Sequence, residues 1–141
     1  MNTYQTDIAA INELYNQYCL GGNRDDLDLF ISLWADDAIR LEANSPAILG
    51  KEQIRSHFKD FFDHFLQNVS MHGETEIQVS GNMAFSRGDF TVSTTPKAGG
   101  PTTLFNGKWM DILKRQNDGS WKIYRDCVVI DDPPQAQTTK D

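Results

Sequence analysis

The fold is decided by residues 104–130, which read LFNGKWMDILKRQNDGSWKIYRDCVVI. Two segments rich in aromatic and β-branched residues flank Asn117-Asp118-Gly119, where glycine can adopt the positive φ of a tight turn. The pattern predicts a long antiparallel hairpin. In its first strand Asp111 shares a face with Trp109 and Leu113. A carboxyl group on such an apolar face needs a partner, water or a chemical role.

Upstream of the hairpin, apolar residues recur at three- and four-residue spacing as far as about Met71. This spacing is typical of amphipathic helices. It predicts three helices and one short strand: helices over residues 6–20, 24–36 and 50–66, and the strand over 39–42.

From Met71 onward the apolar period changes to two, which predicts strands over residues 74–80 and 83–95 before the hairpin. Helices followed by strands are typical of an α+β domain, in which the helices pack on one face of an antiparallel sheet. No linker or internal repeat divides the sequence. Residues 1–132 are therefore predicted to form a single domain, and residues 133–141 a loose tail.

The composition is that of a soluble globular domain, with 39% hydrophobic and 23% charged residues. The formal net charge of -7 would repel a phosphate backbone, which disfavours nucleic acid as a partner. No apolar run reaches the ~18 residues of a membrane-spanning helix, and the first residues lack the pattern of a signal peptide. Two isolated cysteines, Cys19 and Cys127, favour a reduced, cytoplasmic location over a disulfide framework. We expect a cytoplasmic protein that contacts neither nucleic acid nor membrane.

Two histidines, His57 and His64, lie one heptad apart on the third predicted helix. A metal or acid–base pair is one interpretation, and half-exposed helix residues are the other. No zinc-type spacing or acidic companion accompanies them, and the sequence contains no nucleotide or haem motif. We predict no metal and no cofactor, and the role of the two histidines stays open.

Several short segments resemble a known family: LWADDA at 33–38, GKEQI at 50–54, and GKW at 107–109 with DGSWKI at 118–123. Over residues 8–130 the chain resembles the SnoaL-like branch of the nuclear transport factor 2-like superfamily, which also contains ketosteroid isomerase. The resemblance implies a cone, in which a curved antiparallel sheet with a mixed edge wraps around the first long helix and leaves a pocket at its open end. Superfamily members include isomerases, dehydratases, cyclases, epoxide hydrolases and non-catalytic domains, so membership does not by itself define an activity.

The resemblance also implies candidate catalytic residues. Ketosteroid isomerase uses a tyrosine late in the first helix, an acidic base at the end of the first strand and an aspartic acid in the penultimate strand. The matching residues here are Tyr18, Glu42 and Asp111, with Tyr15 as an alternative to Tyr18. Glu42 would take a proton from a carbon next to a carbonyl, while Tyr18 and a protonated Asp111 donate hydrogen bonds to the enolate oxygen.

The interior is expected to be more polar than a steroid pocket. Arg87 and Asp89 are predicted to point into the cavity, together with Asp126 from the last strand. This arrangement favours a small polar or anionic ligand near Arg87 over a sterol. The predicted ligand-binding residues are Trp34, Phe58, Phe62, Arg87, Asp89, Trp109 and Asp126.

Structural interpretations of the same residues stay open. Tyr18 could pack at the edge of the core, Glu42 could be a solvated strand end, and Asp111 could make a structural hydrogen bond. Arg87 and Asp89 could form a cross-strand charge pair. Three functions are therefore compatible with the sequence. They are an isomerase or lyase that acts by acid–base chemistry, a non-catalytic small-molecule-binding domain, and an association module whose cone is filled by its own aromatic side chains.

The first strand of the hairpin is apolar on both faces, with Trp109 and Leu113 on one and Met110 and Ile112 on the other. One cone cannot bury both faces, and an exposed apolar patch of more than a few hundred Å² is unusual on a monomer. We expect a homodimer through the outer face of the sheet, which the family resemblance also implies.

Overall fold

The computed structural model describes residues 2–131 and 135–136. The helices of this part of the chain are α1 Thr3–Asn23, α2 Leu27–Ser32 and α3 Gly50–His64. Its strands are β1 Trp34–Leu41, β2 Ile48–Leu49, β3 Phe65–Ser80, β4 Met83–Pro96, β5 Thr103–Arg115, β6 Trp121–Ile130 and β7 Gln135–Ala136.

The strands form one sheet in the order β2-β1-β6-β5-β4-β3, with β7 paired to β5. Strands β1 and β6 run parallel, and the other strand pairs of the described residues are antiparallel. The helices pack against one face of this curved sheet. The prediction of an α+β cone with a mixed sheet is confirmed.

Helix α1 is longer at both ends than its apolar spacing predicts, and a capping box stabilises its earlier start. The Asn2 side chain accepts a hydrogen bond from the Gln5 backbone N–H, and the Gln5 side chain accepts one from the Asn2 backbone N–H, which forms a capping box. At the other end the helix continues through Gly21 and Gly22, where the sequence predicts its end. A Cβ atom at Gly21 would lie 3.0 Å from the Phe30 backbone nitrogen, so glycine permits α2 to approach α1 closely.

The prediction of a helix over 24–36 is wrong at both ends. Asp26 caps α2 by accepting a hydrogen bond from the Leu29 backbone N–H, and the chain is already a strand at Trp34. The apolar content of LWADDA does not distinguish these states, because Trp34 and Ala35 are buried in the strand as they would be in a helix. Because this segment is a strand, β1 can pair in parallel with β6, and the pairing places Arg40 beside Asp126 in the site.

Strand β3 begins at Phe65, well before the predicted start at residue 74. Its register against β4 shifts between His72 and Glu76, and Gly73 in this interval has a φ of 66°. Exposure alternates along the first half of the strand, but Leu66 is exposed and Gln67 lines the cavity, so the sequence there has no clear apolar period of two. That first half forms one wall of the cavity.

Helix α1 is anchored to the hairpin by a partly buried ion pair. Both carboxylate oxygens of Asp7 accept a hydrogen bond from Arg115 at 2.7 Å, and Trp121 Nε1 donates to the same carboxylate at 3.3 Å. The Arg115 guanidinium lies over the Trp121 ring, 4.5 Å from its centroid. This contact fixes α1 relative to the sheet, and Tyr15 follows about two helical turns later.

The core lies between the helices and the inner face of the sheet. Its aromatic centre is Phe30, whose ring centroid lies 4.6 Å from that of Phe58, 5.5 Å from that of Phe62 and 6.2 Å from that of Trp34. Within residues 2–131, none of the helices has the length and hydropathy of a membrane span.

The backbone of β7 pairs with Thr103 and Leu104 of β5. This short strand falls within the segment predicted as a loose tail. The rest of that segment, residues 133–134 and 137–141, lies outside the described residues.

Candidate functional site

A cavity of about 430 Å³ lies between α1, α3 and the inner face of the sheet, a volume typical of small-molecule sites. Most of its lining is apolar, including Phe61, Phe65, Phe90, Val92, Phe105 and Ile130. The tyrosines, the histidine and the charged side chains form a second set of lining residues, which we call the polar wall: Tyr15, Tyr18, Arg40, Glu42, His57, Asp60, Asp111 and Asp126.

The hairpin positions Asp111 as its strand alternation predicts. Trp109, Asp111 and Leu113 are all buried on the inner face. Asp111 is 3% exposed, and its cross-strand neighbour on β6 is Asp126. Two carboxyl groups thus lie side by side on the polar wall.

A chain of hydrogen bonds reaches Asp111 from the core. Trp109 Nε1 donates to Ser86 Oγ at 3.2 Å, Ser86 hydrogen-bonds the Tyr15 hydroxyl, and Tyr15 donates to Asp111 Oδ2 at 2.7 Å. An indole N–H can only donate, and the single Tyr15 proton is directed at Asp111. The Ser86 hydroxyl therefore donates to Tyr15, and every donor in the chain points toward the carboxyl group.

The environment of Asp111 favours its neutral form. Burial raises the pKa of Asp111 well above its usual value, and the charge of Asp126 and its hydrogen bond raise it further. The hydrogen bond from Tyr15 and the charge of Arg40 act in the opposite direction. Among the described residues, Oδ1 of Asp111 lacks a hydrogen-bond partner if Asp111 and Asp126 are both ionised and therefore accept only. A proton on Asp111 removes this conflict, because it turns one acceptor into a donor.

Arg40 links two other carboxylates of the wall, those of Asp126 and Glu42. Its Nη1 donates to Asp126 Oδ2 at 2.6 Å and its Nε donates to Glu42 Oε2 at 2.8 Å, while its guanidinium lies 4.9 Å from the Phe58 ring centroid. The other oxygen of Glu42 is 3.3 Å from His57 Nε2. Sequence reasoning missed Arg40. The available signal was the alternation of residues 39–42, which places Arg40 and Glu42 on one face of the strand.

Both candidate tyrosines line the cavity, at different places. Tyr15, the alternative, makes the bond to Asp111. Tyr18 packs on Phe30 with ring centroids 4.5 Å apart. Burial raises the pKa of Tyr18 well above its usual range, against the opposing effect of the Arg40 charge. Tyr18 is therefore a neutral hydrogen-bond donor at neutral pH.

The prediction that Arg87 and Asp89 point into the cavity is wrong. Both side chains are exposed on the outer face of β4, and Arg87 Nε donates to Glu76 Oε1 at 2.9 Å. Strand alternation is the reason, because the inner face of β4 is occupied by Ser86 and Gly88, both buried. A ligand in the cavity is therefore not held by Arg87.

The other predicted ligand-binding residues divide into two groups. Phe58, Trp109 and Asp126 line the cavity. Trp34 and Phe62 are 1% and 4% exposed and pack behind Phe58 in the core, so they support the lining without forming it. The reason is that the apolar side of a helix or strand marks burial but does not distinguish a core residue from a cavity residue.

The two histidines are separated in the structure. His57 lies on the polar wall beside Glu42, whereas His64 Nδ1 is 2.7 Å from the Asp60 carbonyl oxygen on the helix surface. Across residues 2–131, no group of three or more His, Cys, Asp or Glu side chains is arranged to hold a metal ion.

The fold and the site together define a class: an α+β cone whose curved sheet and first helix enclose a pocket with a buried carboxylic acid on its wall. Residues 3–125 match the profile of the SnoaL-like domain family, and the chain belongs to that family. No curated protein matches the chain.

Solved structures agree with this assignment. A conserved protein from Planctomyces limnophilus DSM 3776 is similar at 26% identity and a TM-score of 0.82, over 89% of this chain and 98% of its own. A ketosteroid isomerase-like protein from Erwinia carotovora atroseptica is similar at 25% identity and a TM-score of 0.76, over 89% and 96%. A nuclear transport factor 2-like superfamily protein from Salmonella enterica serovar Typhimurium shares the fold at 18% identity and a TM-score of 0.83, over 92% and 94%.

Proposed function

We propose that the protein is an isomerase or lyase that transfers a proton at a carbon next to the carbonyl group of a small molecule. Asp111 donates a hydrogen bond to the carbonyl oxygen as a neutral acid, Tyr18 is a second donor, and Glu42 is the base. One observation supports the proposal most directly: a buried Asp111, whose surroundings raise its pKa and favour the neutral form, lies on the wall of an open cavity. A carboxylic acid in this state can stabilise an enolate as charge develops on its oxygen.

Glu42 has the freedom that a base requires. Its side chain is 23% exposed, and Arg40 and His57 each engage one of its oxygens. A carboxylate has about four acceptor sites, so lone pairs remain for a substrate proton. The two contacts fix the orientation of the carboxylate without enclosing it.

A non-catalytic binding domain is the second candidate function. The supporting observation is that the ion pairs of Arg40 tie Glu42 and Asp126 together, an arrangement that also suits a rigid binding wall. A pure association module has less support, because the aromatic side chains leave a cavity of about 430 Å³ open.

The catalytic proposal is tested by hydrogen–deuterium exchange at the α-carbon of 2-tetralone, followed by proton NMR in D₂O. We expect the protein to accelerate exchange over buffer, and Glu42→Gln to reduce the acceleration by about 100-fold, the usual contribution of a positioned base. The matched control is Glu52→Gln, which removes an exposed carboxylate of α3 outside the cavity lining and should leave the rate unchanged.

Two results would contradict the catalytic proposal. One is exchange at the buffer rate, and the other is equal rates for wild type and Glu42→Gln. If 2-tetralone still binds, as measured by calorimetry, exchange at the buffer rate supports the binding-domain function instead. Equal acceleration by wild type and Glu42→Gln would show that Glu42 is not the base.

We also propose a homodimer in a cytoplasmic setting. Met110 and Ile112 are 58% and 39% exposed on the outer face of β5, and Val129 of β6 adds to the same apolar surface. A second copy of the chain would cover this surface. Cys19 and Cys127 are both free thiols, which fits a reducing compartment.

Sedimentation velocity at micromolar concentration should give about twice the chain mass. Met110→Glu places a charge on the proposed interface and should yield the monomer, because an unpaired carboxylate is costly to bury. Leu49→Glu is the control, since Leu49 is 52% exposed on the distant edge strand β2. A wild-type monomer, or dissociation by both substitutions alike, would argue against this interface.

A further inference from the structure

The charges that line the cavity are unbalanced. Its lining contains four carboxyl groups, those of Glu42, Asp60, Asp111 and Asp126, and Arg40 is the lining's only arginine or lysine within the described residues. With Asp111 neutral, three carboxylates face one guanidinium, a formal excess of two negative charges. The potential in the cavity is therefore negative, and the low polarity of the remaining lining does little to screen it.

Arg40 has little capacity to bind an anionic ligand. Its side chain is 11% exposed, with ion pairs to Glu42 and Asp126 at 2.8 and 2.6 Å, and one face of the guanidinium lies over Phe58. A ligand carboxylate would have to approach between two protein carboxylates or displace one of them. Either event costs free energy, because like charges repel strongly where water is scarce.

Asp111 indicates what the cavity does accept. Its side chain lines the cavity, and in the neutral form its single proton can be donated either to Asp126 or to a ligand oxygen. Beyond the polar wall the lining is mostly aromatic and aliphatic, including Phe61, Phe65 and Phe90, with Gln67 and Thr94 as uncharged polar residues. These faces suit an apolar body, and the aromatic ones also attract cations.

We infer that the substrates of the proposed acid–base site are amphiphiles with an apolar, preferably aromatic, body and a neutral or positively charged head, and that carboxylates are excluded. This inference rests on the proposed function, because it takes the same cavity as the binding site and adds the class of substrate. It replaces the expectation of an anionic ligand, whose basis was Arg87.

The test uses three probes that share one body and differ in charge: 2-acetylnaphthalene, 2-naphthylmethylammonium and 2-naphthoate. Dissociation constants are measured by calorimetry at pH 7 and low ionic strength. We expect the ketone and the ammonium compound to bind at least about tenfold more tightly than naphthoate. Added salt should reduce the difference between ammonium and naphthoate, because it screens the charges near the cavity mouth.

Charge variants locate the effect. Asp60 lies at the cavity edge with its side chain 82% exposed, so Asp60→Asn should fold normally and reduce the preference for the ammonium probe. Glu42→Gln should do the same, with Glu52→Gln as the matched control outside the cavity. Binding inside the cavity is checked in a Cys127→Ser variant, where the ketone should protect Cys19, a lining residue, from a thiol reagent.

Three results would each overturn the inference. Naphthoate could bind as tightly as the other two probes, the preference for the ammonium probe could be unaffected by Asp60→Asn and Glu42→Gln, or none of the probes could bind. These outcomes are distinct from a failure of the proposed function. The charge ranking can hold while 2-tetralone exchange stays at the buffer rate, and exchange can be accelerated while naphthoate binds best.

Discussion

Replacing Asp126 by asparagine should destabilise the fold by about 3 kcal/mol, the usual effect of removing one partner of a buried ion pair. Asp126 is 5% exposed and accepts the 2.6 Å hydrogen bond from Arg40 Nη1. Without its charge, a buried guanidinium keeps only Glu42 as an ionic partner. Urea unfolding at pH 7 measures the loss directly, as a lower transition midpoint with an unchanged slope.

The control for this substitution is Asp89→Asn, the same chemical change on the exposed outer face of β4, which should leave the midpoint unchanged. Arg40→Met in the Asp126→Asn background should recover part of the loss, because it removes the unpaired charge and keeps most of the side-chain volume. An Asp126→Asn protein as stable as wild type would show that Arg40 does not depend on this ion pair.

The architecture could be predicted from the sequence because it depends on local periodicity. The change of apolar period near Met71 separates the segment that contains the three helices from a segment of strands alone. The alternation along 109–113 places Asp111 on the inner face, as the structure shows. The errors arise where two states bury the same residues. Trp34 is buried as a strand residue, and it would have been buried as a helix residue as well.

The polar wall was harder to predict because its contacts are long-range. Arg40 lies beside Asp126 through the parallel pairing of β1 with β6, and Tyr15 reaches Asp111 across 96 positions of sequence. Neither contact leaves a local pattern. The orientation of Arg87 is a different kind of error. Side chains alternate along β4, so Arg87 lies on the opposite face from Ser86 and Gly88, which are buried on the inner face.

Asp111→Asn is expected to separate stability from function. At pH 7 the variant should be as stable as wild type or more stable, while any proton-transfer activity falls by about 100-fold, the typical effect of losing one strong donor to a developing oxyanion. An asparagine amide has nearly the shape of a protonated carboxyl group, and its N–H can donate to Asp126 as the acid does. It is a much weaker acid, so it stabilises an enolate less.

The pH dependence of this difference has a definite sign. The pKa of Asp111 is raised in the folded state by burial and by Asp126, so folding takes up a proton once the unfolded chain has ionised. The stability that Asp111 contributes is therefore full below the unfolded value of about 3.9 and is lost as pH rises through the folded pKa. Asparagine has no such loss. Relative to wild type, the variant should gain stability as pH is raised above about 4.

Thermal melts of wild type and Asp111→Asn from pH 3 to pH 8 measure this difference, and Tyr15→Phe is the companion variant. Removal of the Tyr15 hydroxyl takes a donor from Asp111, which makes the neutral acid still more favourable and should leave the sign of the pH dependence unchanged. If Asp111→Asn instead melts well below wild type at pH 7, Asp111 is an ionised structural residue paired with Arg40. The role of a neutral acid in the proposed chemistry would then be wrong, because a carboxylate repels the enolate that it is required to stabilise.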